Sequence, residues 1–398
     1  MSDDPLGAFM QYPAVEVASA ASGSLKGLRL GVKDLYDVTG YPTGCGNPSK
    51  LEEAEIAETN APVVQALLDA GATFVGKTIT DELAFSLQGQ NAHYGTPVNS
   101  AAPDRIPGGS SSGSASATAG GAVDTALGSD TGGSVRAPAS YCGLFGLRPT
   151  FDRIDISGCM PLAPSYDTVG WFARDAETFA RVGDILLGPD SAELPGGAPA
   201  LLTDALDLMV DEPTRQALRP AITKAEAVLG PAEPLDISAT DFSPKGLADW
   251  LLVFRTTQAT EIWDVHGAWI EARDPQFGPG VRDRFEWARR VNRDETAKAR
   301  AWEMHAKIRA HVRNVVASRL LILPTVPAIA PLNATPVSEL EIFRDRALSI
   351  LCIAGISGLP QVTMPLATHE GVPLGLSVIG PAGSDRALVD LAGRIAAA

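Results

Sequence analysis

Cysteine, histidine and aromatic residues are scarce in this chain of 398 residues, which contains 4 Cys, 5 His and 6% aromatic residues. The cysteines lie singly among small or apolar neighbours and none forms a Cys-x-x-Cys pair, so we expect reduced structural thiols. Zinc sites need clustered Cys and His ligands, and the sequence therefore predicts no metal site. The residues concerned are Cys45, Cys142, Cys159 and Cys352.

Positive charge is also in short supply. The chain has 32 Lys and Arg against 47 Asp and Glu, a net charge of −15, and this excludes the basic face that binds nucleic acid. No uncharged run reaches the ~20 apolar residues of a membrane span, and the first residues lack a basic and then apolar leader. We therefore expect a cytoplasmic protein that binds neither nucleic acid nor membrane.

Apolar runs alternate with helical patterns along most of the chain, and 45% of the residues are hydrophobic. This alternation predicts an α/β fold, with a mixed, twisted central sheet covered by helices on both faces. We expect one domain over residues 1–398, with a helical insertion over about 200–318 that shapes the substrate pocket. The predicted strands are 28–38, 72–75, 320–325, 361–365 and 374–379, and the predicted early helix is 60–71, with Asn60 as its N-cap.

Two Gly-Gly-Ser units stand close together, at 108–110 and 132–134. Paired glycines next to hydroxyls favour turns in which backbone N–H groups approach a developing charge. Lys33 lies in an apolar strand, where burial would lower its pKa enough for it to act as a general base. This combination suggests Ser134 as a nucleophile and Ser110 as a bridge between it and Lys33. In the alternative, Lys33 pairs with Asp34 or Asp37 and the serines only fill turns.

Two further segments match the consensus sequences of known motifs. Residues 71–78 fit the phosphate-binding loop, but a predicted helix precedes Gly71 and strand residues follow it, so we reject nucleotide binding. Residues 109–113 fit the nucleophile elbow of α/β-hydrolases, with Ser111 as the nucleophile. The elbow needs an apolar strand before it, whereas residues 101–107 hold two prolines and two charges. A Ser111 esterase stays as the alternative.

At these residues the chain resembles the amidase signature family over nearly its whole length. The matching blocks are 31–34, 76–78 with 81–82, 107–111, 128–139, 324–327 and 358–362. Within the family, the stretches 46–48, 91–97, 139–143, 167–175 and 266–270 are most similar to plant indole-3-acetamide hydrolases and their bacterial relatives.

The resemblance implies the amidase-signature fold and hydrolysis of a small carboxylic amide to the acid and ammonia, without metal or organic cofactor. It implies Ser134 as nucleophile, Ser110 as bridge after a cis peptide bond from Gly109, and Lys33 as base. The remaining site residues that we expect are an oxyanion hole from the N–H groups of Thr131, Gly132, Gly133 and Ser134, substrate-lining residues Ala84 and Ser86, and supporting residues Ser111, Asp130 and Arg136.

Two non-hydrolytic alternatives exist on the same scaffold. A plant import-receptor branch keeps the fold without activity, but this chain retains both Lys33 and Ser134. An amide-donor subunit of a transamidating complex would need a stable partner. We expect the chain to act on a small-molecule amide, and a homodimer stays open as its assembly.

Overall fold

The computed structural model describes residues 4–398, in which ten strands form a single sheet. The strands are β1 (Arg29–Lys33), β2 (Thr73–Thr78), β3 (Thr125–Asp130), β4 (Phe145–Arg148), β5 (Thr168–Ala173), β6 (Ala200–Leu202), β7 (Glu233–Leu235), β8 (Leu321–Pro324), β9 (Gln361–His369) and β10 (Val372–Ile379). Their spatial order is β2-β1-β3-β5-β4-β9-β10-β8-β6-β7.

Helices connect most of these strands. They are α1 (Pro48–Glu53), α2 (Pro62–Asp69), α3 (Ser112–Ala119), α4 (Arg136–Cys142), α5 (Ala176–Leu186), α6 (Thr203–Asp207), α7 (Glu212–Ala217), α8 (Arg219–Leu229), α9 (Leu247–Arg273), α10 (Val281–Asn292), α11 (Glu295–Val316), α12 (Val337–Ser357) and α13 (Asp385–Ala397), with a 3₁₀ turn at Glu82–Ala84. None of the helices within residues 4–398 combines the length and the apolar character that crossing a membrane would require.

The sheet is mixed, as the sequence predicts. β1 runs parallel to β2 and β3, the strands from β3 through β5, β4, β9 and β10 to β8 pair antiparallel, and β6 is parallel to β7 and β8. The central strands β3, β4, β5 and β8 are buried along their whole length. β5 and β8 are the mostly apolar runs that a strand buried on both faces requires.

Several predicted elements need adjustment. The first strand ends at Lys33, and residues 34–35 form a turn, so the expected strand at 28–38 is too long. The early helix starts after Ala61 and not after Asn60, whose Oδ1 accepts from the N–H of Thr39. A local pattern cannot show that a cap-type side chain bonds a distant backbone group instead. The segment 200–318 contains α6–α11 and also supplies the short edge strands β6 and β7.

The parallel pair β1 and β3 positions the candidate site. Val32 is aligned with Leu127, so the carboxyl ends of both strands reach the same edge of the sheet. Lys33 ends β1, and Ser129 and Asp130 end β3. In sheets with parallel strands, ligands bind at this carboxyl edge, where loops can converge.

Candidate active site

Lys33 is fully buried, and its ammonium nitrogen meets two serine hydroxyls. Lys33 Nζ lies 2.7 Å from Ser110 Oγ and 2.9 Å from Ser129 Oγ, within hydrogen-bond distance of both. Burial lowers the pKa of Lys33 to about 8, although Cys159, Asp81 and other nearby acids oppose the shift. A lysine with this pKa is partly neutral near pH 7 and can accept a proton.

The carboxylates next to Lys33 in sequence have other partners. Asp34 Oδ1 lies 3.1 Å from Lys77 Nζ in a fully buried ion pair, and Asp37 accepts from the Thr43 hydroxyl. The alternative in which Lys33 pairs with Asp34 or Asp37 is therefore wrong in this structure. Lys77 belongs to β2, which occupies most of the stretch that imitates a phosphate-binding loop.

Ser110 and Ser134 lie in two neighbouring loops. Ser110 follows Gly109 through a cis peptide bond, as the resemblance implies, and is fully buried. Ser134 lies between β3 and α4, and its carbonyl accepts from the N–H of Ser111 at 3.3 Å. No hydrogen bond of the Ser134 hydroxyl is present among residues 4–398. Ser134 also lines a narrow cleft.

Ser111 has a different environment. It is fully buried, its Oγ donates to the Ser129 carbonyl at 3.3 Å, and the Ser129 N–H reaches Ser111 Oγ at 3.4 Å. Ser111 does not line the cleft. A hydroxyl held in this way supports the loop after β3 and is poorly placed as the nucleophile of an esterase.

Backbone N–H groups surround the Ser134 side of the cleft. Gly133 N–H donates to Asp130 Oδ1 at 3.0 Å. The N–H groups of Thr131, Gly132 and Ser134 have no acceptor among the described residues, and all three residues line the cleft. These three are therefore the donors free to bind an oxyanion. Gly133 itself has φ +117°, and a Cβ there would meet Leu351 Cδ1 at 2.4 Å, so only glycine fits.

Asp130 holds the backbone of residues 131–135, the loop that carries Ser134. Its carboxylate pairs with Arg136 at 2.8 Å and Arg148 at 3.0 Å, and it accepts from the N–H groups of Gly133 and Val135. Burial would raise the pKa of Asp130, but the two guanidinium groups hold it well below its usual range. Burial lowers the pKa of Arg148 to about 10. Asp130 opposes this shift, but it also pairs with Arg136, whose positive charge lowers the pKa of Arg148 further.

Replacing Asp130 tests this network. Asp130→Asn would leave two buried guanidinium groups without a carboxylate, and breaking a buried pair costs about 3–5 kcal/mol. We expect the free energy of unfolding, measured by urea titration, to fall by about that amount. The matched control Glu233→Gln removes an exposed pair with Arg319 and should cost less than about 1 kcal/mol. Equal effects of the two substitutions would contradict the structural role of Asp130.

The cleft next to Ser134 is narrow, with a cavity volume of about 10 Å³, so its lining side chains must move apart to admit an acyl group. Both predicted substrate residues, Ala84 and Ser86, line it. Two buried polar residues from the helical region, Gln258 of α9 and Arg344 of α12, complete its wall. A larger open groove of about 480 Å³ lies between α9 and α10 and is lined by neither Lys33 nor the serines, and we do not associate it with the chemistry.

Four polar residues of the site escaped the sequence interpretation. Ser129 directly precedes Asp130 at the end of a strand parallel to the lysine strand, and Arg148 is a charge that ends an apolar run, so both left a local signal. Gln258 and Arg344 left none, because more than 100 residues separate them from Ser134 and only the fold brings them to the cleft.

Comparisons with known proteins agree with this architecture. The family model described as Amidase matches residues 2–196 and 200–389. Amidase 1 of Arabidopsis thaliana is 38% identical over 100% of this chain and 99% of its own length. The chloroplastic outer envelope protein 64 of the same plant is 37% identical over 92% of this chain and 65% of its own length.

A solved amidase structure superposes with a TM-score of 0.80 at 28% identity, and the match covers 94% of this chain and 85% of that one. The family model and the full-length relative each span more than two thirds of the chain. The chain belongs to the amidase family and is an amide-hydrolysing enzyme.

Proposed function

We propose that the enzyme hydrolyses a small carboxylic amide to the acid and ammonia through an acyl-enzyme on Ser134. The observation that supports this most is the contact of 2.7 Å between Lys33 Nζ and Ser110 Oγ, in a loop whose next residue, Ser111, donates its N–H to the carbonyl of Ser134. A base, a bridging hydroxyl and a nucleophile in neighbouring loops are what acyl transfer by serine requires.

In the first half of the proposed reaction, neutral Lys33 accepts a proton from Ser110, which accepts one from Ser134. Ser134 Oγ forms a bond to the amide carbon, and the N–H groups of Thr131, Gly132 and Ser134 stabilise the oxyanion. As the carbon–nitrogen bond breaks, the relay returns the proton to the nitrogen, which leaves as ammonia.

In the second half, water takes the place of ammonia. The relay removes a proton from this water, whose oxygen bonds the acyl carbon, and the carbon–Oγ bond then breaks. Ser134 recovers its proton and the carboxylic acid is released. Each half uses the same three side chains and consumes no other reactant.

The residues that line the cleft limit which acyl groups can bind. Its wall is largely apolar, and the lining side chains that support a hydrocarbon or aromatic acyl group are Ala84, Phe85, Leu87, Leu162 and Leu348. The resemblance suggests indole-3-acetamide, or another arylacetamide, as the first candidate substrate. Residues 200–318 contribute Gln258 to this wall, which supports their proposed role as the insertion that shapes the pocket. A cytoplasmic location and a homodimer stay predictions from the sequence.

Ammonia release by the purified chain tests the proposal. We expect release from at least one amide of a panel containing indole-3-acetamide, phenylacetamide, short aliphatic amides, malonamide and allophanate, without added protein or metal. A sulfonyl fluoride should add the mass of one sulfonyl group to the wild-type protein and to Ser111→Ala, but not to Ser134→Ala. Neither release nor labelling would favour a binding protein on this scaffold, and release only with an added partner would favour a transamidating subunit.

A further inference from the structure

Arg344 of α12 lines the cleft together with Ser134 and lacks the partners that a buried arginine needs. Its side chain is only 7% exposed. Among residues 4–398 the guanidinium makes no hydrogen bond, and the buried Nε has no partner at all. Arginine offers five N–H donors, and buried donors in folded proteins are almost always paired. A ligand in the cleft would supply the missing acceptor.

The ion pairs around Arg344 leave its own guanidinium without a close carboxylate. Glu341 lies 2.7 Å from Arg284 and only 3.7 Å from Arg344. Asp345 lies 2.9 Å from Arg255 and 4.0 Å from Arg344. Three guanidinium groups thus share two carboxylates, and the one left without a close partner borders the cleft. Burial lowers the pKa of Arg344 to about 9, which still leaves it charged at neutral pH.

We propose that Arg344 determines substrate specificity by binding a carboxylate at the far end of the acyl group, so that the substrate class is the monoamide of a short dicarboxylic acid. A guanidinium binds a carboxylate through two parallel N–H···O bonds, which would satisfy its free donors. The apolar wall would contact the methylene groups between the two ends. This inference rests on the proposed amide hydrolysis and narrows its acyl group. Indole-3-acetamide has no oxygen at its far end and would leave Arg344 unpaired.

A matched pair of substrates tests the inference. Succinamate carries the carboxylate, and 4-methylpentanamide replaces its two oxygens with methyl groups. We expect kcat/KM of the wild-type enzyme to be at least about 10-fold higher for succinamate, or for malonamate or glutaramate if another chain length fits better. Arg344→Met should lower kcat/KM for the carboxylate substrate by about 10- to 100-fold, mainly through KM, and leave 4-methylpentanamide within about twofold.

Arg346→Met is the matched control, because Arg346 lies on the same helix and is exposed. Arg346→Met should leave kcat/KM unchanged for both the carboxylate substrate and 4-methylpentanamide. Arg344→Lys keeps the charge without the planar fork and should retain part of the preference. Should Arg344→Met fail to fold, the wild-type preference and the lysine variant still decide. An equal loss for both substrates, or a wild-type preference for 4-methylpentanamide or indole-3-acetamide over all three carboxylate amides, would overturn the inference.

Calorimetry separates this inference from the proposed catalysis. Succinate should bind Ser134→Ala protein, and the added Arg344→Met substitution should weaken that binding by at least about 10-fold. If neutral amides are hydrolysed but succinate does not bind, only the role of Arg344 fails. If succinate binds but no amide is hydrolysed and Ser134 is not labelled, the proposed catalysis fails and the carboxylate site stands.

Discussion

Ser134→Ala is expected to lower kcat for the best amide by a factor on the order of 10⁴ to 10⁶, the range seen when a serine hydrolase loses its nucleophile. The physical reason is that the other two hydroxyls lining the cleft are already engaged, since Thr131 Oγ1 donates to Asp167 and Ser86 Oγ donates to Gln88 Oε1. Rapid quench with a chromogenic anilide would measure acylation through the aniline released, and steady-state ammonia release from the best primary amide would measure turnover.

Ser111→Ala provides the control for this experiment. Ser111 Oγ binds only the backbone of Ser129, so its removal should reduce stability by about 1 kcal/mol and preserve most of the activity. The opposite ranking, with an inactive Ser111→Ala and an active Ser134→Ala, would support the esterase alternative. Circular dichroism of both variants should show folded protein.

Lys33→Met should lower kcat by a factor on the order of 10² to 10⁴, the usual contribution of general acid–base catalysis. Methionine fills a similar volume, so the loss reflects the missing amine and not a cavity. The pH profile gives a second test of the same group. Because the base must be neutral and burial lowers the pKa of Lys33 to about 8, kcat/KM should rise tenfold per unit below that pH and level off above it.

Lys77→Met is the matched control for Lys33. Both lysines are buried, but Lys77 pairs with Asp34 and lies outside the cleft. We expect Lys77→Met to destabilise the fold by about 3–5 kcal/mol, because it leaves the Asp34 carboxylate buried and unpaired, and to keep the same pH profile in the folded fraction. Full activity of Lys33→Met, or a profile without inflection between pH 7 and 9, would contradict the assignment of the base.

Much of the fold was accessible from sequence because the sheet is built from short apolar runs. The strands containing Lys33, Leu323 and Val362 follow from such runs, and the family match extends over the rest. Boundaries were less accessible. The turn after Lys33 and the displaced cap at Asn60 depend on contacts with other segments, and a local pattern carries no information about those contacts.

The site divides in the same way. Lys33, Ser110 and Ser134 stand in motifs that are specific as local patterns, and glycine next to serine marks the loops that present them. Their partners do not follow from those patterns. Lys33 meets Ser110 across 77 positions and Ser129 across 96, whereas the carboxylate adjacent in sequence, Asp34, turns to Lys77.

By itself the sequence determined the family, the mixed sheet and the three residues proposed for catalysis, because each follows from motifs and apolar runs that are continuous in the chain. Only the tertiary structure decided how those residues are paired and what borders the cleft. Arg344 shows the reason: its surplus charge arises from five side chains on three helices, α9, α10 and α12, and a charge balance across helices exists only once they pack.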